Sequence, residues 1–448
     1  MSSCSEIEAT IGIERYYIQL QGIGGIVKME PEDFVVSEIL DGGLDASILW
    51  SKDPLPMEPA RNALWILRKR DRETIPTVSK LAKKLNVRPL KAMICGIKDR
   101  RAVTYQFVAI QLTRKAVNYS HITLNGAEAK RIGYIDKLSS SKLIGNRFEI
   151  LIRGAEAADD LLQHYQEFIQ EMGIPNFYGY QRFGLLRPVT HLVGRHIVRG
   201  DIRGAVELFL SHTTDFEPER VRAARRALAE TGDLASALKD FPRSLSYERR
   251  ILTHLSSNTG DYLGALRRLP LRIRKLFVHA YSAYLFNKAL SISLRDGYRL
   301  DEPAVGDLFV RIDRFQRPYG RPMQATASNL EEAARRVASG EVSIIIPSPG
   351  YLSWMPRGPR GEALKYVMDE EGVRPSSFKL RVMREASTTG THRPIMLKPL
   401  NLHLAKVDRG IIKLQMNLPP SGYATSILRE LMKKRCALAY AGLEHCYT

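Results

Sequence analysis

The alternation of apolar and polar positions divides the 448-residue chain into stretches of different character. Residues 16–40 open with the apolar YYIQL, pass through GIGG at 22–25 and continue as IVKMEPEDFVVSEI. Val35 and Val36 predict a strand there, preceded by a turn at Pro31 and its acids. In PTVSKLAKKLNV (76–87), Val78, Leu81, Ala82 and Leu85 share one helical face, with Pro76 near the start. CGIKDRRAVTYQ (95–106) lies between Met93-Ile94 and Phe107-Val108-Ala109-Ile110, and so reads as strand, basic loop, strand. RFEILI (147–152) alternates as a strand does. AEAADDLLQHYQEFIQEMG then places Leu161, Leu162, Tyr165, Phe168, Ile169 and Met172 at helical spacing, until Gly173 and Pro175 stop the helix.

Beyond IPNFYGYQRFGLLRP (174–188), an irregular and aromatic-rich stretch, the pattern changes. Residues 190–300 read as mostly helical and arginine-rich, as in ERVRAARRALAE and LRRLPLRIRKL. Residues 301–390 are mixed, with strand-like VSIIIP. The last segment, from LNLHLAK through IIKLQMNLPPSGYATSILRELMKKR, returns to strand, tight turn and amphipathic helix. There is no internal repeat and no low-complexity tract. Mixed strands at both ends around a different middle predict a core domain interrupted by an insertion, and the length predicts two or three domains.

Charge sharpens this picture. Lys and Arg total 67 against 48 acids, a formal +19, with a pI near 9.7. Such a surplus suits a polyanionic partner, most often nucleic acid. No apolar run is long enough to cross a bilayer, and MSSCSEIEAT has neither the basic nor the apolar region of a secretory signal. Cys4, Cys95, Cys436 and Cys446 are scattered without a C-x-x-C pair, so neither a disulfide framework nor a zinc site is expected. The chain reads as cytoplasmic.

Several chemistries fail on spacing. GIGG is followed by a strand and Lys28, so it is a tight turn and not a dinucleotide fingerprint. The chain has no Walker loop, no H-E-x-x-H and no G-x-S-x-G. His191 and His196, five apart, read as solvent-facing or core histidines.

What is left is Asp99, flanked by Lys98, Arg100 and Arg101. Adjacent positive charge favours the ionised carboxylate, which can serve as nucleophile or general base; alone, the same stretch is an ordinary solvated turn. In NFYGYQRFG (176–184) the aromatics offer stacking faces, and Asn176, Gln181 and Arg182 offer donors, although aromatics also plug cores. SGYAT (421–425) either turns amides and Tyr423 toward a ligand or simply caps a helix. Arg222, Arg225, Arg226, Arg267, Arg268, Arg272, Arg274 and Lys275 either wall an RNA cleft or form solvated helix faces.

Together these stretches resemble the TruD family of tRNA pseudouridine synthases. KMEPEDFVVSEI (28–39) is similar to the family's K-x-x-P-E-D-F-x-V-x-E, and GIKDRRAVTYQ (96–106) to its G-x-K-D-x-x-A-x-T-x-Q. LIGNRFEI with PNFYGYQRFG resembles G-N-R-F and P-N-[YF]-F-G-x-Q-R-F-G. LPPSGYATSILREL (418–431) resembles the C-terminal L-P-x-G-x-[YF]-A-T-x-x-L-R-E-L, and AYSAYLFN (280–287) the S-Y-L-F-N helix. The matches keep the family's order from residue 22 to 431.

The resemblance implies an α+β pseudouridine-synthase core, a large mixed, mainly antiparallel sheet flanked by helices, interrupted by an α/β TRUD domain. Residues 1–188 and 391–448 would form the core and 189–390 the insertion. It implies isomerisation of uridine, at position 13 of tRNA, with Asp99 as catalytic carboxylate, attacking C1′ or abstracting the 2′ proton. Lys28 would pair with Asp99, because the core is circularly permuted and carries its basic residue early. Phe34, Asn176, Tyr178 and Tyr423 would line the substrate site; Tyr178 stands where Phe is frequent in the family. No cofactor, metal, membrane or obligate protein partner is implied; the partner is tRNA. The alternative is a non-catalytic basic RNA-binding protein or chaperone, which has no need of an intact Lys28, Asp99 and Asn176. A methyltransferase would need a glycine-rich methyl-donor loop.

Overall fold

A computed structural model describes residues 6–55, 58–434 and 436–442. Its main feature is an eleven-stranded mixed sheet. Along the sheet the order is Leu400–Asp408, Ile411–Leu418, Leu143–Ala155, Phe34–Leu40, Val103–Gln111, Asn62–Arg70, Ala127–Ile135 and His121–Leu124. Three short strands join from the sides: Gly24–Val27 on Leu143–Ala155, Leu44–Asp45 on Phe34–Leu40, and Met93–Ile94 on Val103–Gln111. Every pairing is antiparallel except one. Phe34–Leu40 runs parallel to Val103–Gln111, with Val35 opposite Val103. Parallel neighbours start at the same end of a sheet, so whatever precedes Phe34 and whatever precedes Val103 must meet.

The sequence pattern of this sheet is reproduced with longer elements. The RFEILI strand grows to thirteen residues because both Phe34–Leu40 and Ile411–Leu418 bond to it. The GIGG turn needs glycine: Gly24 and Gly25 have φ of 67° and 80°. A Cβ on Gly25 would also lie 2.6 Å from Ile152. Helices Asp159–Met172 and Ala424–Met432 cover the sheet, the first tied to the Leu400–Asp408 strand by Gln166 and Gln170. Cys436 is disulfide-bonded, which the scattered cysteine spacing did not suggest.

From Thr190 the chain builds a helical layer and a second sheet. That sheet has four antiparallel strands in the order Pro318–Gln324, Leu308–Ile312, Val342–Ser348, Thr391–Pro394. Its central helix, Leu271–Arg295, is 25 residues long and buried on most sides, so its apolar residues form no single stripe. One continuous apolar core runs from Ile11 through this helix to Tyr440, joining the two sheets into one packed body. Among the described residues no helix is long and apolar enough to cross a membrane.

Helix Thr190–Arg199 approaches the central helix most closely at Gly194, where a Cβ would lie 2.0 Å from the Phe277 carbonyl oxygen. Gly194→Ala therefore forces the two helices apart and is expected to lower stability by about 1–3 kcal/mol. Urea denaturation measures this, and an unchanged midpoint would refute the close contact.

Candidate active site

The parallel pair decides where the chemistry gathers. Lys28, just before Phe34–Leu40, and Asp99, just before Val103–Gln111, lie 71 residues apart in sequence, yet Lys28 Nζ donates to Asp99 Oδ2 at 2.6 Å. The lysine side chain is 7% exposed and the aspartate 35%. The same ammonium sits 3.9 Å from the centroid of the Phe34 ring. A buried ammonium is tolerated only with its charge answered, and here a carboxylate and an aromatic face answer it.

Lys28 takes a left-handed conformation, φ 60°, which costs a non-glycine residue roughly 1 kcal/mol or more. Its surroundings enforce it. Arg101 donates one guanidinium nitrogen to the Met29 carbonyl at 2.9 Å and another to the Gly442 carbonyl at 2.5 Å. Gly442 lies so close that a Cβ would be 2.3 Å from the Lys28 carbonyl oxygen. The loop bearing Asp99 thus grips the backbone bearing Lys28.

The loop is also tied beneath. Lys69, fully buried, donates to the Asp99 carbonyl at 2.6 Å. Gln106 holds the Gly96 carbonyl at 3.2 Å, and the Lys98 amide donates to Thr74 Oγ1 at 3.2 Å. The three cations beside Asp99 in sequence do not touch its carboxylate. Lys98 turns to buried Glu38 at 2.5 Å, Arg100 to Asp71 at 3.6 Å, and Arg101 to backbone carbonyls. Sequence adjacency suggested those three as the stabilising charges; the contact comes from Lys28 because alternating side chains on an irregular loop point apart.

Asp99 opens into a cavity of about 390 Å³. Phe34, Phe148 and Tyr423 supply its aromatic lining, with Phe34 and Phe148 edge to face at 5.9 Å. Asn146, Gln181 and Thr425 supply polar lining. Two of these polar atoms, Asn146 Oδ1 and Thr425 Oγ1, are buried without a protein partner. Native proteins leave few such atoms unpaired, so a cavity holding two is suited to a ligand with donors. Tyr423 occupies the N-cap position of the last helix but makes no side-chain cap bond, so capping does not account for it.

Asn176 and Tyr178 line a neighbouring cavity of about 210 Å³, which shares Pro420, Ser421 and Gly422 with the first. Both residues surround Arg393. Its guanidinium donates to Asn176 Oδ1 at 2.7 Å, to the Asn176 carbonyl at 2.8 Å and to the Ser421 carbonyl at 3.1 Å. The guanidinium lies 4.0 Å from the Tyr178 ring centroid and 5.6 Å from that of Tyr423. Burial pulls this arginine below its ordinary pKa, and no carboxylate pairs with it among the described residues. The Tyr178 hydroxyl pairs with Ser348 Oγ at 2.8 Å, so the extra oxygen contacts protein. Arg393, Asn146 and Lys69 went unnoticed in the sequence. Asn146 lay within the GNRF signature; Arg393 and Lys69 carried no local signal, because their partners lie far along the chain.

The insertion arginines separate into two sets. Arg225 is buried between Glu217 and Glu248, Arg222 pairs with Asp215 and Glu219, Arg226 lies 3.6 Å from Glu219, and Arg267 and Arg274 share Glu385. Arg268, Arg272 and Lys275 have no acidic partner among the described residues. His196 pairs with Asp201, and His191 is stacked on Tyr284 inside the core.

With this geometry in view, comparison with known proteins is direct. Residues 10–431 match the family model described as tRNA pseudouridine synthase D (TruD). Relatives named "Probable tRNA pseudouridine synthase D" include one from Thermococcus gammatolerans, 34% identical over 94% of this chain and 97% of its own. Another, from Methanosarcina barkeri, is 34% identical over 96% of this chain and 98% of its own. A crystal structure of a TruD chain from Methanosarcina mazei superposes with a TM-score of 0.79 at 31% identity, covering 98% of this chain and 100% of that one. Fold and sequence together define a pseudouridine synthase, an isomerase that converts uridine to pseudouridine. The chain belongs to the tRNA pseudouridine synthase D (TruD) family.

Burial depresses Lys69 to about 8. The folded protein therefore loses this proton as pH rises through about 8, while the unfolded chain keeps it into the ordinary lysine range. Between those values stability gains from the difference, because the unfolded state binds more protons, but the charge holding the Asp99 carbonyl is lost. Activity is expected to fall as pH rises through about 8. Lys69→Met should be less active and show no such fall; a retained alkaline limb in a pH–rate profile would assign it elsewhere.

Proposed function

We propose that the protein isomerises uridine 13 of tRNA in the cytoplasm, with Asp99 as catalytic carboxylate. The observation that carries this reading is the Lys28–Asp99 pair at the wall of an aromatic cavity containing two unpartnered polar atoms. Isomerisation breaks the N1–C1′ bond and forms C5–C1′; C5 gives up its proton and N1 gains one. Nothing is oxidised, and no external group is transferred. The chemistry needs an ionised acid near C1′, a cavity that keeps the detached uracil, and extraction of the nucleotide from its stack. Asp99 acts at C1′ or at the 2′ proton, and Lys28 keeps it aimed. Phe34 and Tyr423 sandwich the base. Asn146 Oδ1 and Thr425 Oγ1 accept from its N–H groups. Asn176 and Tyr178 complete the substrate wall through Arg393 and residues 420–422, which line both cavities. In this reading residues 1–188 and 391–448 serve as the catalytic core, and 189–390 as the inserted domain, whose sheet takes its edge strand from Thr391–Pro394.

Unmodified tRNA carrying tritium at uridine C5 tests the reading. Wild type is expected to release tritium and Asp99→Asn none; release by both would remove Asp99 from the chemistry, and release by neither would favour a non-catalytic RNA-binding protein. Replacing uridine 13 by cytidine should abolish release, and full release from that RNA would assign another uridine. Lys28→Met is expected to lower kcat by about 10²-fold with RNA affinity nearly unchanged; comparable losses in both would sink the pairing role.

A further inference from the structure

We propose that a second cavity, on the helical side of the insertion, binds phosphodiester groups of the RNA substrate away from the reacting nucleotide. This rests on the reading that the substrate is a folded RNA. The cavity measures about 710 Å³ and is lined by Arg243, Arg249, Arg250, His254 and Arg268, with serine, threonine and asparagine side chains between them. No carboxylate and no aromatic carbon ring other than the imidazole lines it. It shares no lining residue with the catalytic cavity.

Charge is the first argument. The buried and half-buried arginines around the central helix are neutralised, Arg195 and Arg199 by Glu371, Arg225 by Glu217 and Glu248, and Arg360 by Asp307. Arg243, Arg250 and Arg268 are exposed and pair with no acid among the described residues. Asp261, behind His254, offsets part of this charge; the remaining cations repel one another, which weakens a fold, and an anionic ligand relieves it.

The side chains of this site are also held in place by one another. Arg268 Nε donates to His254 Nδ1 at 3.1 Å, and His254 Nε2 donates to Asp261 Oδ2 at 2.8 Å. Asp261 also caps helix Tyr262–Arg267 by accepting from the Gly264 amide at 2.8 Å. A Cβ on Gly264 would lie 2.6 Å from His254 Nε2, so a glycine is what allows the relay to close. The relay uses only Nε of Arg268, leaving both terminal nitrogens for a bidentate phosphate contact. Arg249 is fixed in turn by the Leu238 and Phe241 carbonyls, at 2.5 and 2.8 Å.

The lining suits RNA backbone rather than a nucleotide cofactor. A nucleotide site needs a surface for the base, whereas several arginines among hydroxyls and amides bind phosphate and read no base. The helices forming the cavity, Ser246–Ser257 and Tyr262–Arg267, pack on other insertion helices.

The combined variant Arg243→Gln, Arg250→Gln, Arg268→Gln leaves the catalytic machinery and the buried core untouched. Its binding to unmodified tRNA and to a short stem-loop carrying the target uridine is measured across a salt series, beside tritium release from the tRNA. For tRNA, affinity is expected to fall at least tenfold, and the slope of log K against log salt to flatten by roughly 2–3. kcat at saturation and affinity for the stem-loop should not change. Unchanged tRNA affinity and slope would overturn the proposal, as would an equal loss on the stem-loop. Displacement of a nucleoside triphosphate from wild type but not from the variant, with tRNA binding unaffected, would replace it by a small-ligand site. A wild type that binds tRNA in this salt-dependent way but releases no tritium would fail the proposed function while leaving the phosphate site standing.

Discussion

A single parallel pairing within an otherwise antiparallel sheet organises the catalytic centre. Antiparallel neighbours would send the segments before Phe34 and before Val103 to opposite ends of the sheet. Running parallel, they deliver Lys28 and Asp99 to one end, where an ion pair of 2.6 Å closes. The pair in turn needs the left-handed turn at Lys28, and that turn needs Arg101, Met29 and Gly442 held together. Backbone topology, local strain and a buried charge therefore depend on one another. Removing any one leaves the others either uncompensated or misplaced.

Buried charge is handled in the same way throughout the molecule. Glu38 is wholly buried and receives both Lys98 and the Phe107 amide. Arg429 is buried with Glu8 and Glu430, and Glu430 also accepts the amides of Tyr17 and Ile18, which locks residues 8–18 to the helix Ala424–Met432. Lys69 departs from this habit, buried with the Asp99 carbonyl as its acceptor, and so do two other places. Arg393 is buried beside the catalytic cavity with carbonyls and aromatic rings but no acid, and the cavity around Arg268 gathers cations in solvent. Charges left without an acid are where an anionic substrate contributes most, so both of these places fall where RNA is expected to lie.

The contact between the two sheets gives Asn176 a definite task. Its side-chain oxygen, carbonyl and amide nitrogen bind Arg393 and the Pro394 carbonyl, on the edge strand of the smaller sheet. Arg393 then reaches Ser421, two residues before Tyr423. A signature asparagine that the family resemblance placed at the substrate site thus connects the second sheet to the wall of the catalytic cavity. The aromatic stretch after it proved to be both things its composition allowed: Phe177, Tyr180 and Phe183 fill the core, while Gln181 lines the cavity.

Much of this was legible in one dimension. Period-two and helical spacing located the RFEILI strand and the helix after it, where buried and less buried positions alternate and the pattern records which face is inside; the strand at Phe34 and the terminal helix, buried on nearly all sides, were legible from their apolar content and the turns before them. Glycines at 24 and 25 marked a turn that only they can make. Separated signatures carried the family, and with it the fold and the class of reaction. What spacing could not convey was which charge meets which. Lys98 and Arg100 adjoin Asp99 in the chain and turn elsewhere, whereas Lys28 comes from a distant turn and Lys69 from a distant strand. Arg225 looked the same as Arg268 in an arginine-rich helical stretch, yet one is buried between two glutamates and the other faces a cavity. Chain order determines periodicity, turns and composition; burial and strand direction determine partners, because a charge removed from water pairs with whatever the fold brings within about 3 Å.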